Sequence, residues 1–157
     1  MPLTFGSSRR TVCLWAVVAG AAACGADDIP APPEGLTHAL GTRSCGPADG
    51  PAVAIYLAAA PVAALEPAAP YVRIDVWEAV DRLTTQAWVL DAGSTTGIAS
   101  HYSSAGAFEV ATSGRIVVTA VDRDTTLVGT VDLDFPSAGR VRGGFRAVWV
   151  SSAPLCG

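Results

Sequence analysis

The sequence predicts an all-β domain, a single antiparallel β-sandwich or small β-barrel of about seven or eight strands, behind a signal peptide and a disordered tether. Three observations predict it. Apolar and polar residues alternate with a period of two along much of residues 52–157, and the alternating runs are short. Turn residues separate them at regular intervals. Two cysteines, Cys45 and Cys156, stand at the two ends of the same region.

The chain divides into 1–23 as signal peptide, 24–51 as anchor cysteine and tether, and 52–157 as the β-domain. Met1 to Arg10 carries Arg9 and Arg10 and no acid, and Thr11 to Ala23 is apolar. A charged start, a short apolar run and a small-residue exit define a secretory signal. The apolar run is shorter than the roughly 20 residues of a spanning helix. Arg9-Arg10 after Ser7-Ser8 resembles a twin-arginine signal, but two ordinary n-region charges account for the pair. Gly25 to Pro51 contains Pro30, Pro32, Pro33, Pro47 and Pro51 with Asp27-Asp28 and no apolar period. Such composition predicts an extended tether without a core of its own.

In the domain, Ala52 to Ala60 is an apolar run assigned to strand on Ile55 and Tyr56. Pro61 to Pro70 is an Ala/Pro-rich loop. Tyr71 to Ala79 alternates, with Val72, Ile74 and Val76 against Arg73, Asp75 and Trp77. Thr84 to Leu90 is the next strand, closed by the turn Asp91-Ala92-Gly93-Ser94. Gly97 to Ser103 and Gly106 to Ala111 form two shorter strands. No helix is needed.

Arg115 to Val150 is the most regular stretch and predicts a three-stranded meander. Arg115 to Val121 is dense in β-branched residues. Asp122 to Thr125 supplies a turn. Leu127, Gly129, Val131, Leu133 and Phe135 then share one face, and Val128, Thr130, Asp132 and Asp134 the other. After the turn Pro136 to Gly139, Val141, Gly143, Phe145, Ala147 and Trp149 alternate with Arg140, Arg142, Arg146 and Val148. A turn centred near Ser137 sets Asp134 opposite Arg140 and Asp132 opposite Arg142, an ion-paired outer face. Gly143-Gly144 marks a bulge or a close backbone approach.

The chain carries a net charge of −4, and all 10 of its basic residues are arginine. Without Arg9 and Arg10, eight arginines face 14 acids, which leaves about −6. An acidic domain with no basic cluster in sequence argues against nucleic acid or anionic lipid as a partner. Of the four cysteines, Cys13 lies in the signal and Cys24 at its exit. Cys45 and Cys156 remain; in an oxidising compartment such a pair forms a disulfide, and a metal site lacks further ligands.

Catalytic motifs are scarce. His101 follows Ser100, and adjacent strand residues point to opposite faces, so the two do not form a nucleophile–base pair. There is no Gly-x-Ser-x-Gly elbow. Asp122, Asp124, Asp132 and Asp134 lack the ligand spacing and the glycine of a calcium loop. Glu78 and Asp81 are a carboxylate pair of a kind common in acidic domains. No cofactor is implied. Among the aromatics on predicted strands, Trp77 and Trp88 alternate away from Val76 and Val89. They are candidate members of an outward stacking surface for a saccharide or protein; a sheet covered on both faces would instead place them in the core.

Ala22-Ala23-Cys24 resembles the lipobox of bacterial lipoproteins, although Ala21 stands where the family usually has Leu. Ala21-x-Ala23 equally suits an ordinary signal peptidase. The run Val128-Gly129-Thr130-Val131, Gly139, Gly144-Phe145-Arg146-Ala147 and Cys156 also resembles the tail of small lipoproteins of myxobacteria and similar bacteria. That resemblance implies an exported envelope protein, lipid-anchored at Cys24, or secreted or periplasmic if Cys24 is not acylated. The family has no assigned activity, so the expectation for function is a non-catalytic β-domain that binds a ligand or protein, or a structural envelope protein, with a hydrolase the weakest candidate.

Overall fold

A computed structural model describes residues 29–62, 67–83, 86–104, 106–122, 125–151, 154 and 156. The strands are β1 (His38–Cys45), β2 (Pro51–Ala58), β3 (Tyr71–Val76), β4 (Ala87–Val89), β5 (Gly97–Ser104), β6 (Ala107–Val110), β7 (Ser113–Asp122), β8 (Thr126–Phe135) and β9 (Gly139–Val150). They form one nine-stranded sheet in the order β4-β7-β8-β9-β1-β2-β3-β5-β6. Every neighbouring pair is antiparallel except β1 with β9. The all-β class stands. The expected sandwich or small barrel of seven or eight strands is only roughly matched, because one sheet of nine strands curls into a half-barrel until β4 touches β5 and buries its concave face against itself.

That concave face is the core. Val53, Ile55 and Leu57 of β2, Val72, Ile74 and Val76 of β3, Ile116 and Val118 of β7, and Leu127, Val131, Leu133 and Phe135 of β8 all point into it. Each set is every second residue of its strand, which is the pleat expressed as burial. Phe145, Ala147 and Trp149 complete it from β9.

The meander forms as the alternation requires. Asp134 pairs with Arg140 and Asp132 with Arg142 across β8 and β9. Gly143 and Gly144 are the site of a close backbone approach. The segment Ile29–Pro33 crosses them, and the Gly144 N–H donates to the Ala31 carbonyl at 2.8 Å. A Cβ on Gly143 would stand 2.5 Å from the Pro33 nitrogen and 2.6 Å from the Ala31 oxygen. No side chain fits there.

This crossing corrects the tether. Within the stretch expected to remain extended, Ile29–Pro33 packs on β9 and His38–Cys45 is a strand between β9 and β2. Its HALGTRSC sequence carries little β-branching, and pairing on both sides holds it instead. Gly41 leaves room for the Trp149 ring, which would lie 3.1 Å from a Cβ. Cys45 at the end of β1 is joined to Cys156 by a disulfide with a Cα–Cα distance of 5.6 Å.

Candidate functional site: an aromatic row on the outer sheet face

The outward residues of β2, β3, β5 and β6 build a row of rings. Tyr71 stands directly opposite Tyr102, and Tyr102 opposite Phe108. The Tyr71 and Tyr102 rings stack at 4.5 Å between centroids with 9° between planes. Tyr102 and Phe108 stack at 5.3 Å and 28°. Tyr56 adds a tilted contact to Tyr71 at 6.2 Å. These are offset and tilted geometries that ring quadrupoles favour. Tyr102 uses both of its faces inside the row. Phe108, 59% exposed, ends it on the outermost strand.

The row has a polar flank. Arg73 extends over Tyr56, with its Cζ 5.8 Å from the ring centroid. Its Nε and Nη2 donate to the two Asp75 carboxylate oxygens at 2.8 and 2.9 Å. Burial works against the Arg73 charge, but the hydrogen bond and charge of Asp75 outweigh it and raise the guanidinium pKa. Pro67, Ala68 and Ala69 form the opposite wall of a 580 Å³ cleft, with Tyr56, Tyr71, Tyr102, Arg73 and Ser104 on the sheet side. Stacking area beside a fixed ion pair and hydroxyl groups suits an amphipathic ligand.

The sequence candidates are distributed differently. Trp88 is not outward: it is buried in the concave core, while its neighbour Val89 is 56% exposed. The reason is parity, since Trp88 and Leu90 share the inward side of this short strand. Trp77 lies just after β3, half-buried, with its indole 3.3 Å from where a Gly46 Cβ would stand. Neither tryptophan belongs to the ring row. Cys24 lies outside the described residues, as does Asp124. Among the described residues no group of three or more His, Cys, Asp and Glu is placed to hold a metal, and no helix is long and apolar enough to cross a membrane. Glu78 faces Arg82 at 3.7 Å and caps the Ala79 N–H.

His101 is half-buried on the inner lip, with its ring 5.7 Å from Phe135. Its Nδ1 lies 3.5 Å from Glu109 Oε1 without a hydrogen bond. Glu109 instead accepts the backbone N–H groups of Ser137 and Ala138 at 2.8 and 2.7 Å. Desolvation pulls the Glu109 pKa up, yet the Ala138 and Ser137 donors, with His101, carry it below the ordinary value. This carboxylate clasps the end of β6 to the turn between β8 and β9.

No protein-family model, curated protein or solved structure matches the chain.

Proposed function

We propose that the chain is an exported envelope lipoprotein, acylated at Cys24, whose β-domain binds an amphipathic ligand, a saccharide first, on its outer aromatic face without transforming it. The observation that carries the binding half is the Tyr71–Tyr102–Phe108 stack, in which Tyr71 and Tyr102 line a polar-flanked cleft and Phe108 is the exposed end ring. Ring faces give sugars and other amphipathic ligands apolar area at low conformational cost, and neighbouring hydroxyl and guanidinium groups take up their polar edges. The export half is supported by the signal-like N-terminus and by the Cys45–Cys156 disulfide, a bond characteristic of oxidising compartments.

The test uses the mature protein. Mass spectrometry of its N-terminus should find an acylated Cys24. Purified protein should co-sediment with peptidoglycan sacculi, and Phe108→Ala should lower the retained fraction about tenfold with an unchanged near-ultraviolet spectrum. Equal retention of the two proteins, or retention of neither, would overturn the saccharide reading.

A further inference from the structure

The other half of the outer face, on β7, β8 and β9, carries a layered charge pattern. Arg115, Asp132 and Arg142 stand in one row across the three strands, with Asp134 opposite Arg140 in the next. Arg140 grips Asp132 through Nε and Nη2 at 2.7 and 2.8 Å, and Arg142 adds a contact at 3.9 Å. The layers differ in height. The Arg142 and Arg140 side chains are 72% and 56% exposed, whereas Asp132 is 24% exposed beneath them. At this site the short Asp132 carboxylate lies low and the longer Arg140 and Arg142 side chains rise above it, while Asp122 is exposed at the end of β7. With Arg146, this face holds four arginines against Asp122, Asp132 and Asp134. The remaining described surface holds Arg43, Arg73 and Arg82 against seven acids. The acidic composition of the whole chain conceals this asymmetry between a face one charge positive, with Asp27-Asp28 preceding it in the chain, and an acidic remainder.

The chain emerges at this face. Pro30 lies against Arg115 and Arg142 on one side, and Ile29 and Pro30 lie beside Arg146 on the other. Cys24 precedes Ile29 by five positions. Five residues span at most about 18 Å even when fully extended. The headgroup layer takes up roughly 6 Å of that. What is left is of the order of the ~8 Å Debye length in physiological salt, so these arginines remain within range of a charged bilayer.

We infer that the arginine-bearing face of β7–β9 rests on the phosphate layer of an anionic membrane, directing the aromatic row of β2, β3, β5 and β6 away from the lipid. The inference rests on the lipid-anchor reading of Cys24. It names one occupant, the anionic headgroups of the bilayer that holds the acyl chain, through charge complementarity and the shortness of the connecting chain.

The experiment uses full-length mature protein, acylated and with the Cys45–Cys156 disulfide intact, in phosphatidylcholine vesicles with or without phosphatidylglycerol. A single new thiol at Thr119→Cys or at Ser104→Cys carries a fluorophore, and headgroup-nitroxide lipid is the quencher. Quenching at position 119 should exceed that at position 104 at least threefold in phosphatidylglycerol vesicles. The ratio should fall toward one in pure phosphatidylcholine, and also when Arg115, Arg142 and Arg146 are all changed to Gln. Equal quenching at both positions on acylated protein would overturn the orientation and leave the anchor standing. A ratio indifferent to phosphatidylglycerol would overturn the role of charge. A mature N-terminus without an acyl chain would overturn anchor and orientation together.

Discussion

The two halves of the outer face share one inner face but differ in the chemistry they present. On β7–β9 the outward residues include charges that pair across the strands, Asp132 with Arg140 and Arg142. On β2, β3, β5 and β6 they include rings packed across the strands, beside the single Arg73–Asp75 pair described there. The inner faces of both halves are Val, Ile, Leu and Phe, and they merge into one core. The inward set therefore decides that the chain folds into this sheet, and the outward set decides what the sheet meets. Besides the β4–β5 contact that closes the curl, the described residues join the halves at two places. Strand β1 bridges them and ends in the disulfide. On the far side the Glu109 carboxylate binds the turn between β8 and β9.

Breaking the first junction should have the largest effect. The disulfide closes a loop with a sequence separation of 111, worth about 4–5 kcal/mol on the chain-entropy model. Cys45→Ser with Cys156→Ser should lower the free energy of unfolding by that order in urea, followed by tryptophan fluorescence. Trp149 faces the core from β9 and Trp88 from β4, beside β7, while Trp77 follows β3 in the other half, so both halves contribute signal. If β1 alone couples the halves, the double variant will unfold in two phases. A single transition with an unshifted midpoint would deny β1 that part.

Much of this arrangement is legible in the sequence, for a physical reason. In the meander a long period-two run and a short turn leave one register that buries every apolar residue, so the Asp134–Arg140 and Asp132–Arg142 pairs follow from the residues alone. The same logic finds the buried side of β3. It fails for β1, where burial comes from neighbours on both sides and the strand's own residues are small and polar. It fails for Trp88, because three residues of β4 are too few to fix which parity faces inward. The ring row was hidden for a different reason. Tyr71, Tyr102 and Phe108 are visibly aromatic and on strands, but only the pairing of β3 with β5 brings them together. That pairing passes over β4, which leaves the local order to join β7. A search for aromatics outward on alternating strands would have selected Tyr71, since it shares parity with Arg73 and Asp75 and opposes Val72.

Removing the centre of the row should have the next largest effect. Tyr102 stacks on both sides, and each aromatic contact contributes about 0.5–1.5 kcal/mol beyond the area it buries. Tyr102→Ala should therefore cost about 1–3 kcal/mol in urea unfolding. Phe108→Ala, with one stacking partner and an exposed ring, should cost less. A binding site at the end of the row requires the opposite order for ligand retention, with Phe108→Ala at least as damaging as its small stability loss is mild. If retention instead tracks stability through both variants, the row is a structural ladder and the two halves of the face differ only in how they are held.

The second junction should give the smallest effect and the clearest pH signature. Hydrogen bonds from Ser137 and Ala138 favour ionised Glu109, so its pKa is lower in the folded chain than in the unfolded one. The unfolded chain then binds more protons in acid. The clasp's contribution is complete above the unfolded carboxylate pKa, about 4.3, and is lost as pH falls through the lower folded value. Glu109→Gln keeps the shape but removes the charge and one acceptor oxygen. Its destabilisation at pH 7 should be smaller than that of Tyr102→Ala, and it should shrink further as pH drops below about 4, where the parent chain loses the same interaction. Amide exchange should show faster opening at Ser137 and Ala138 in the variant at neutral pH, with β1 and β2 unchanged. A loss independent of pH would assign Glu109 a packing role and remove it as a specific junction between the two halves.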